Sequence, residues 1–383
     1  MTMAYSGKVK NNTLHNSRKH PYRVSRLMRR EVHRTYDKIY ATLYGQCVGD
    51  ALGLLTEGLT KDEIKKHYKE VMGKLELVHK KMLRDAHRQK WRECDWTDET
   101  DQLLLVLQSL IHCRSEVEPV DFAKRLMGWS EQGFPELGDD ASPGLCSHVR
   151  NVITHPQFSE EPLKASEIVW RDSARFVASN SAVARTAIMG VHQHEVLGQV
   201  IKNTLEVCHV THFDPRYHGC EASCVAVSVA IALMIQQNER HLKKNGKYDI
   251  DAIINEAFVY ASRLLKSDKE VKELKAYMFC TSLKDLRLDD PGRPSYTYKA
   301  LGSGFWALKQ KDFRQAIQDI VLEGGDADAN AAVGGALLGC KLGLDAIPKS
   351  WTEPLLHRAW LDDLVDRYFD MVESKKKQKE TVV

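Results

Sequence analysis

The sequence predicts an all-α fold, and three observations support this prediction. Apolar side chains recur every three or four residues in several segments, among them Phe122 to Trp129 and Phe313 to Leu322, which is the spacing of one helix face. The alternation of apolar and polar residues that is typical of a half-buried strand is absent over any useful length. Loops rich in glycine and proline, such as residues 133–144 and 289–298, separate the helical segments.

Length and composition fit one soluble domain. The chain has 383 residues, of which 43% are hydrophobic and 28% charged, and these are ordinary values for a globular protein. A net charge of +3 is too near neutral to favour nucleic acid or a membrane as the main partner. The longest apolar run, Ala222 to Ile235, is too short to span a bilayer and predicts a buried helix. We also expect a monomer.

The two ends of the chain are basic. Residues 1–35 contain no acidic residue before Glu31 and have too few apolar residues to fold alone. We therefore predict a disordered extension at 1–35, a single all-α domain at 36–373 and a disordered basic tail at 374–383. No apolar signal core lies in the first thirty residues, so we expect a cytoplasmic or nuclear protein, with a mitochondrial address as the alternative for the arginine-rich N-terminus.

Nine cysteines are scattered along the chain, most of them in apolar runs. Cys220 and Cys224 are the only pair that is close in sequence, and no second pair has the spacing of a zinc site. We therefore expect buried free thiols in a reducing compartment.

The first predicted helix of the domain carries a stripe of small residues. Gly45, Gly49 and Gly53 recur at every fourth position, so they share one face and allow a neighbouring helix to come very close. Asp50 is a polar residue within this helix, and we expect it to cap or to form a salt bridge. Glu57 follows in the turn after the helix and, without further information, is expected to be a surface acid.

The stretch from Trp96 to Asp101 has the most concentrated chemistry in the chain. It contains three carboxylates and two hydroxyls and then enters the apolar run Leu103 to Leu107, which is typical of a helix N-terminus. One or two acids suit such a cap, but three clustered like charges also suit a divalent cation bound by oxygen ligands. Both interpretations stay open from this stretch alone.

A second acidic cluster favours the cation. Asp326 and Asp328 follow a Gly-Gly pair and precede a helix rich in small residues, and the glycines allow a loop in which both acids turn towards one point.

Earlier in the chain, Gly302-Ser303-Gly304 predicts a flexible turn ahead of Phe305 and Trp306.

Two further segments carry weaker signals. Ser179, Asn180 and Ser181 gather before a predicted helix, where backbone N–H groups could bind an anion, although such residues are also ordinary caps. His212 precedes the long apolar helix and could be a ligand or a structural residue.

Taken together, these motifs resemble the ADP-ribosylglycohydrolase family, including its arginine- and serine-specific ADP-ribosyl hydrolases and the glycohydrolase that activates dinitrogenase reductase. The matching segments extend from about Tyr40 to Pro348 and are Gly49 to Gly53 with Glu57, Trp96 to Thr100, Asn180 to Ala182 with Arg185, Thr211-His212, and Gly324 to Asn330.

The resemblance implies an orthogonal helical bundle with two Mg²⁺ ions in a cleft, and hydrolysis of the bond from C1″ of an ADP-ribosyl group on a protein or a small molecule. The implied metal ligands are Thr97, Asp98, Glu99, Asp326 and Asp328. The implied catalytic residues are Glu57, Asp98 and Glu99. The expected substrate-binding residues are Gly144, Phe176, Ser179, Asn180, Ser181 and His212. The resemblance implies that the diphosphate lies on the loop from Val177 to Ser181 and the ribose near His212, and either Phe176 or Phe305 with Trp306 could stack on the adenine.

The chain departs from the family pattern at two positions. Glu99 stands where the family usually has Asp, and Ala329 stands where it usually has Thr or Ser. Because alanine cannot bind a metal ion, one metal position loses an oxygen ligand. Two alternatives to the hydrolase therefore stay open: a catalytically silent protein that binds ADP-ribose, and an enzyme that removes phosphate from phosphorylated ADP-ribose.

Overall fold

The computed structural model describes residues 26–78, 82–173 and 179–381. Within these ranges the chain forms sixteen α-helices and no β-strand, so the prediction of an all-α fold is confirmed. The helices, in chain order, are α1 (Arg26–Gly53), α2 (Lys61–Tyr68), α3 (Asp98–His112), α4 (Pro119–Gln132), α5 (Ser147–Ile153), α6 (Pro162–Asp172), α7 (Val183–Val191), α8 (Leu197–His209), α9 (Gly219–Gln236), α10 (Ile250–Ser262), α11 (Asp268–Met278), α12 (Thr297–Lys309), α13 (Phe313–Val321), α14 (Ala327–Leu342), α15 (Lys349–Thr352) and α16 (Arg358–Thr381).

Helices α1 and α14 pack so closely that their backbones touch. A Cβ atom added to Gly45 would overlap the carbonyl oxygen of Gly335, and one added to Gly49 would overlap that of Ala331. At the end of the same stripe, Gly53 lies against the backbone of Asp328. The predicted role of the glycine stripe is therefore confirmed, and it fixes the end of α1 beside the beginning of α14.

Helix α9 lies at the apolar centre of the fold. Among the described residues it is the helix whose length and composition would suit a membrane span, yet 94% of that window is buried within the protein. Helices α7, α8 and α10 pack against it. The apolar run from Ala222 to Ile235 is therefore a buried core helix, as predicted.

The ends of the domain differ from the predicted bounds. Helix α1 begins at Arg26, inside the predicted extension 1–35, and helix α16 continues to Thr381, inside the tail 374–383 that was predicted to be disordered. Lys375 pairs with Glu116, and Lys376 Nζ lies 3.3 Å from Glu195 Oε1. The basic tail is thus attached to acids of the main body, which its composition alone does not reveal.

The segment from Gly302 to Gly304 corrects another expectation, because it lies inside helix α12 and does not form a turn. A Cβ atom on Gly302 would lie 2.7 Å from a methyl group of Leu286, and one on Gly304 would lie 2.7 Å from a methyl group of Val333. These glycines serve close helix packing, and the following Phe305 is fully buried.

Backbone hydrogen bonds connect the loop after α1 to the loop before α14. The N–H of Gly58 donates to the carbonyl of Gly325 (2.7 Å), and the N–H of Gly325 donates to the carbonyl of Leu59 (2.9 Å). Gly324 and Gly325 have φ angles of +74° and +68°, which favour glycine. This paired turn brings the two acidic segments that follow α1 and precede α14 together.

Candidate functional site

Asp50 fixes the N-terminus of α3 against α1. Its Oδ1 accepts hydrogen bonds from the backbone N–H (3.1 Å) and the hydroxyl (2.7 Å) of Thr97, and its Oδ2 accepts one from the N–H of Thr100 (2.9 Å). Burial raises the pKa of Asp50 to about 6, although these hydrogen bonds oppose the rise. The expected capping role is confirmed, but Asp50 caps a helix 47 residues further along the chain.

Three carboxylates from segments far apart in the sequence converge beside this cap. Oxygen atoms of Glu57, Asp326 and Asp328 all lie within 4.8 Å of one another. Asp326 is the N-cap residue of α14 and Asp328 lies in the first turn. The glycine turn therefore does allow both acids to face one point. Asp328 is buried, whereas the side chain of Glu57 is 23% exposed, so Glu57 lies at the rim of the group.

Asp98 and Glu99, both buried, add two more carboxylates. Burial raises the pKa of Asp98 well above its usual range, and the negative charges of Glu57, Asp50 and Asp326 raise it further. Burial likewise raises the pKa of Glu99 well above its usual range, and the negative charges of Asp98 and Asp326 raise it further. No lysine or arginine in the described ranges forms an ion pair with Asp98, Glu99 or Asp328, and the cations that act on the group, Arg185 on Glu99 and Lys299 on Asp326, lie beyond ion-pair distance.

Several buried oxygen atoms in this group have no hydrogen-bond partner. They are Glu99 Oε2, Asp328 Oδ1 and Asn180 Oδ1. Buried polar atoms without partners are rare and usually indicate an unseen water or ion. A set of carboxylate, hydroxyl and amide oxygens suits a hard cation such as Mg²⁺ or Ca²⁺. The residues present therefore fit the kind of ion that their clustering predicts.

Thr97 joins the two halves of the group. Its hydroxyl, which donates to Asp50, lies 3.2 Å from Asp328 Oδ2. The five predicted metal ligands, Thr97, Asp98, Glu99, Asp326 and Asp328, are thus neighbours in one region of the fold. Their binding of a metal ion stays a prediction.

Asp101, the third acid of the Trp96 to Asp101 stretch, has a structural role. Its Oδ1 accepts a hydrogen bond from the indole N–H of Trp96 (2.7 Å), and its Oδ2 accepts one from the indole N–H of Trp129 (3.2 Å). One oxygen therefore holds the segment before α3 and the other holds α3 against α4, and Asp101 is not part of the carboxylate group. The acids at this helix start therefore serve two purposes: Asp98 and Glu99 belong to the carboxylate group, and Asp101 bonds two tryptophan side chains.

The loop before α7 reaches the carboxylates through Asn180. The Asn180 side-chain amide donates to Asp326 Oδ2 (3.0 Å), and the Asn180 backbone N–H donates to the carbonyl of Ser295 (3.0 Å). Ser179 Oγ and Ser181 Oγ lie 3.0 Å apart and are buried. Diphosphate binding by this loop stays a prediction, and Phe176, proposed to contact adenine, lies outside the described residues.

Gly144 lies against Asp98 and at the wall of a large cavity. A Cβ atom at this position would overlap Asp98 Oδ1, and the φ angle is +99°, a conformation that favours glycine. Gly144 also lines a cavity of about 650 Å³ together with residues that include His87, Trp91, Arg92 and Arg150. The cavity therefore reaches the neighbours of Asp98 and Glu57 but is not lined by either carboxylate.

His212 is connected to the carboxylates only indirectly. Its Nδ1 lies 2.8 Å from Thr211 Oγ1, and its buried Nε2 has no partner. Thr211 accepts a hydrogen bond from Arg185 (2.6 Å), Arg185 donates to Gln102 (3.0 Å), and Gln102 donates to Asp98 Oδ2 (3.0 Å). Burial, followed by the charge of Arg185, lowers the pKa of His212 well below its usual range. Its contact with a ribose stays a prediction.

Sequence reasoning missed two neighbours of the carboxylates. His87 Nε2 lies 2.6 Å from Glu57 Oε2, but His87 sits in an irregular loop and no spacing in the sequence singles it out. Gln102 is one helical turn after Asp98, a position that always faces the same side of a helix. That spacing was a usable signal for Gln102.

Comparisons with known proteins identify the family of this chain. A family model described as ADP-ribosylglycohydrolase matches residues 31–378. The chain belongs to the ADP-ribosylglycohydrolase family. The protein is therefore a hydrolase, and its family indicates ADP-ribosyl glycohydrolase activity.

Individual relatives cover nearly the same region. An uncharacterised protein of Archaeoglobus fulgidus is 28% identical over 88% of this chain and 97% of its own length. The ADP-ribosylarginine hydrolase Tri1 of Serratia proteamaculans is 22% identical over 88% of this chain and 80% of its own. The ADP-ribosyl-[dinitrogen reductase] glycohydrolase of Rhodospirillum rubrum is 22% identical over 84% and 90%.

A solved structure supports the helical fold of this chain. A chain described as an ADP-ribosylglycohydrolase-related protein complex superposes with a TM-score of 0.62 and 20% identity. The match covers 88% of this chain and 99% of that one. The predicted family and its helical architecture are therefore confirmed.

Proposed function

We propose that this protein is a Mg²⁺-dependent hydrolase that cleaves the C1″ bond of an ADP-ribosyl group attached to a protein or a small molecule. One observation carries the proposal: Glu57, Asp326 and Asp328 meet within 4.8 Å, and Asp98 and Glu99 lie close enough for their pKa values to respond to Asp326. Two relatives support the substrate class, because one is named an ADP-ribosylarginine hydrolase and the other an ADP-ribosyl-[dinitrogen reductase] glycohydrolase.

Mg²⁺ fits the oxygen ligands better than a soft metal would. Thr97, Asp98, Glu99, Asp326 and Asp328 would hold the ions, with Glu57 at the rim. When bound, the ions would supply Lewis acidity towards sugar hydroxyls and water. Glu99 Oε2 and Asp328 Oδ1, which are buried without a hydrogen-bond partner, are free to bind such an ion.

The chain's own residues have three tasks in the proposed reaction. The carboxylates create a negative field that stabilises the positive charge developing at the anomeric carbon of an oxocarbenium-like transition state. Glu57, oriented by His87 and partly exposed, is placed to accept a proton at its carboxylate. Asn180 holds Asp326 in position through its amide and carries the loop proposed to bind the diphosphate.

The two departures from the family pattern affect different parts of the group. Glu99 retains a free buried oxygen, whereas Ala329 is buried and contributes no ligand atom. We therefore expect one of two ion positions to bind more weakly. A silent ADP-ribose-binding protein is the outcome in which this weakening prevents turnover.

A substrate panel tests the proposal. The protein is incubated with ADP-ribosyl-arginine, ADP-ribosyl-serine and ADP-ribose-1″-phosphate, in Mg²⁺ or in EDTA, and free ADP-ribose is measured. We expect Mg²⁺-dependent release from at least one of the two amino-acid conjugates. Release from the phosphate alone would identify the phosphorylated substrate, and binding of ADP-ribose without any turnover would overturn the proposed hydrolysis.

The stability of the metal-free protein is expected to fall as pH rises. The buried carboxylates have raised pKa values in the folded state, about 6 for Asp50 and well above the usual range for Asp98, Glu99 and Asp328. The folded state therefore binds more protons than the unfolded state above about pH 4, and folding loses stability as these groups ionise.

This effect is measured by thermal unfolding in EDTA at pH 6 and pH 8. We expect the melting temperature to be at least about 2 °C lower at pH 8, and Mg²⁺ to raise it more at pH 8 than at pH 6 because the cation replaces the protons. The variant Asp98→Asn should show a smaller difference between the two pH values. A melting temperature that is higher at pH 8 and insensitive to Mg²⁺ would contradict the assignment.

Replacing Gly144 by alanine should reduce activity by about 10- to 100-fold, the usual range for residues that support metal ligands. The added Cβ overlaps Asp98 Oδ1 and must displace that carboxylate. Gly138→Ala is the matched control, because Gly138 lies in the same loop with a φ of +83° and has open space around it. Both variants should lose some stability from backbone strain, but only Gly144→Ala should lose kcat/KM.

A further inference from the structure

A second cluster of potential ligands lies near Arg185, and it consists of sulfur atoms. The thiols of Cys208, Cys220 and Cys224 all lie within 4.8 Å of one another. All three are buried and none forms a disulfide. Only Cys220 and Cys224 are close in sequence, so the contribution of Cys208 was not visible before the fold was known.

The fold explains how the three thiols meet. Cys220 and Cys224 are one turn apart in the first turns of α9 and therefore share one helix face. Cys208 lies next to the last residue of α8, and the intervening segment 210–218 returns the chain so that α8 and α9 pack together. Two helices thus fix all three side chains, as a preorganised binding site requires.

The charge beside the cluster distinguishes it from ordinary core packing. Arg185 is fully buried and forms no ion pair with a carboxylate in the described ranges. Its side chain donates to Gln102, to Thr211 and to the carbonyl groups of Val207 and Cys208. A guanidinium stays protonated even when buried, and the groups whose negative charge would stabilise it are the three thiols, followed by Glu99.

The thiols respond to this charge and to one another. Burial raises the pKa of Cys224, but hydrogen bonds from Cys208 and Cys220, with the guanidinium of Arg185, outweigh burial and hold that pKa well below its usual range. The pKa values of Cys208 and Cys220 are instead raised well above their usual range, because these two thiols share their protons with the cluster and are buried. A thiolate is the form of cysteine that binds metals. The surroundings thus favour the ligand form of at least one sulfur.

A small cavity borders the cluster at Cys220. Its volume is about 10 Å³, and its walls include Trp170, His212 and Glu221. That is roughly the space for the centre of one water molecule, enough to supply a fourth ligand to an ion held by three sulfurs.

We propose that Cys208, Cys220 and Cys224 form a binding site for one thiophilic divalent cation, with Zn²⁺ as the natural occupant. Thiolates select soft or borderline metals and do not compete for Mg²⁺, so this site and the carboxylate group would bind different metal ions. Three thiolate charges, one divalent cation and the Arg185 guanidinium sum to zero, whereas a monovalent cation would leave a buried negative charge.

The observed spacing needs little adjustment to hold such an ion. A tetrahedral zinc site with bonds of about 2.3 Å separates its sulfurs by about 3.8 Å, and the three sulfurs already lie within 4.8 Å. An ion here would also fix Arg185, whose hydrogen bond to Gln102 supports Asp98. The cation would therefore stabilise the position of Asp98 through Arg185 and Gln102.

The test uses the full chain, reduced, stripped of metal and titrated with Cd²⁺, whose bonds to thiolate absorb in the ultraviolet. We expect saturation at one Cd²⁺ per chain, displacement by Zn²⁺, and no displacement by excess Mg²⁺. Cys220→Ser and Cys224→Ser should each lose the tight absorption signal. Cys280→Ser should retain it, because Cys280 is a buried thiol outside the cluster.

A second measurement does not depend on the folding of variants. In the wild-type protein, at a urea concentration that exposes the buried thiols to the reagent, stoichiometric Zn²⁺ should protect three of the nine cysteines from alkylation, and mass spectrometry should identify them as Cys208, Cys220 and Cys224. No Cd²⁺ absorption in the wild type, an unchanged signal in Cys220→Ser and Cys224→Ser, or protection of other cysteines would overturn the proposal.

Discussion

Replacing Asp326 by asparagine is expected to reduce Mg²⁺-dependent release of ADP-ribose by about 10³-fold or more, since a metal ligand contributes several kcal/mol to the transition state. The substitution keeps the shape of the side chain and removes its charge. It also places an amide where Asp326 Oδ2 now accepts a hydrogen bond from Asn180. The loss should appear in kcat/KM at fixed Mg²⁺ and in a higher Mg²⁺ concentration for half-maximal rate.

Asp345→Asn is the matched control for this experiment. Asp345 is exposed and lies beyond the C-terminal end of α14, so the same change of charge there should leave turnover and Mg²⁺ dependence unaltered. Wild-type turnover by Asp326→Asn would remove the second acidic cluster from the proposed mechanism. A loss that occurs equally in Asp345→Asn would indicate a general effect of net charge.

Replacing Gly53 by alanine should have the largest effect on stability, a loss of about 3 kcal/mol or more, the upper part of the range for overpacking. The added Cβ overlaps the Cα of Asp328 and the carbonyl oxygen of Ala327, and backbone atoms in a packed helix cannot move aside as a flexible side chain can. Because Asp328 lies at the point of overlap, activity should fall together with stability.

Chemical denaturation measures this change, with Gly128→Ala as control. Gly128 also lies in a helix, α4, but a Cβ there meets nothing within 4 Å, so helix propensity alone should stabilise the protein by about 0.5–1 kcal/mol. Equal stability of the two variants would mean that the close approach of α1 and α14 does not determine where Asp328 lies.

The sequence was most informative where a requirement recurs at regular spacing. Gly45, Gly49 and Gly53 predicted a close-packed face because the helical period is fixed, and α14 occupies that face. The pairing of acids across the chain followed from the chemistry of their side chains. A glycine pair with intervening serine, by contrast, suits a turn and a tight helix contact equally well, and Gly302 and Gly304 belong to the second class.

The remaining misses concern contacts that no local pattern encodes. Asp101 looked like part of the cation site, but two tryptophan N–H groups that approach from separate elements use both its oxygens. His87 lies in a loop, and a loop joins the helix that carries Cys208 to α9; the paths of both loops depend on the packing of the whole domain. The basic residues of α16 suggested disorder because composition does not reveal Glu116 and Glu195 beside them.

The central claim is that oxygen ligands from α3 and from the start of α14 bind the same divalent cation. Anomalous diffraction from crystals grown with Mn²⁺ as a substitute for Mg²⁺ tests it most directly. The account predicts an anomalous peak in direct contact with oxygens of both Asp98 and an aspartate of the 326–328 segment. Crystals of active protein with no peak between these residues, and with Asp98 and Asp326 turned away from each other, would contradict it.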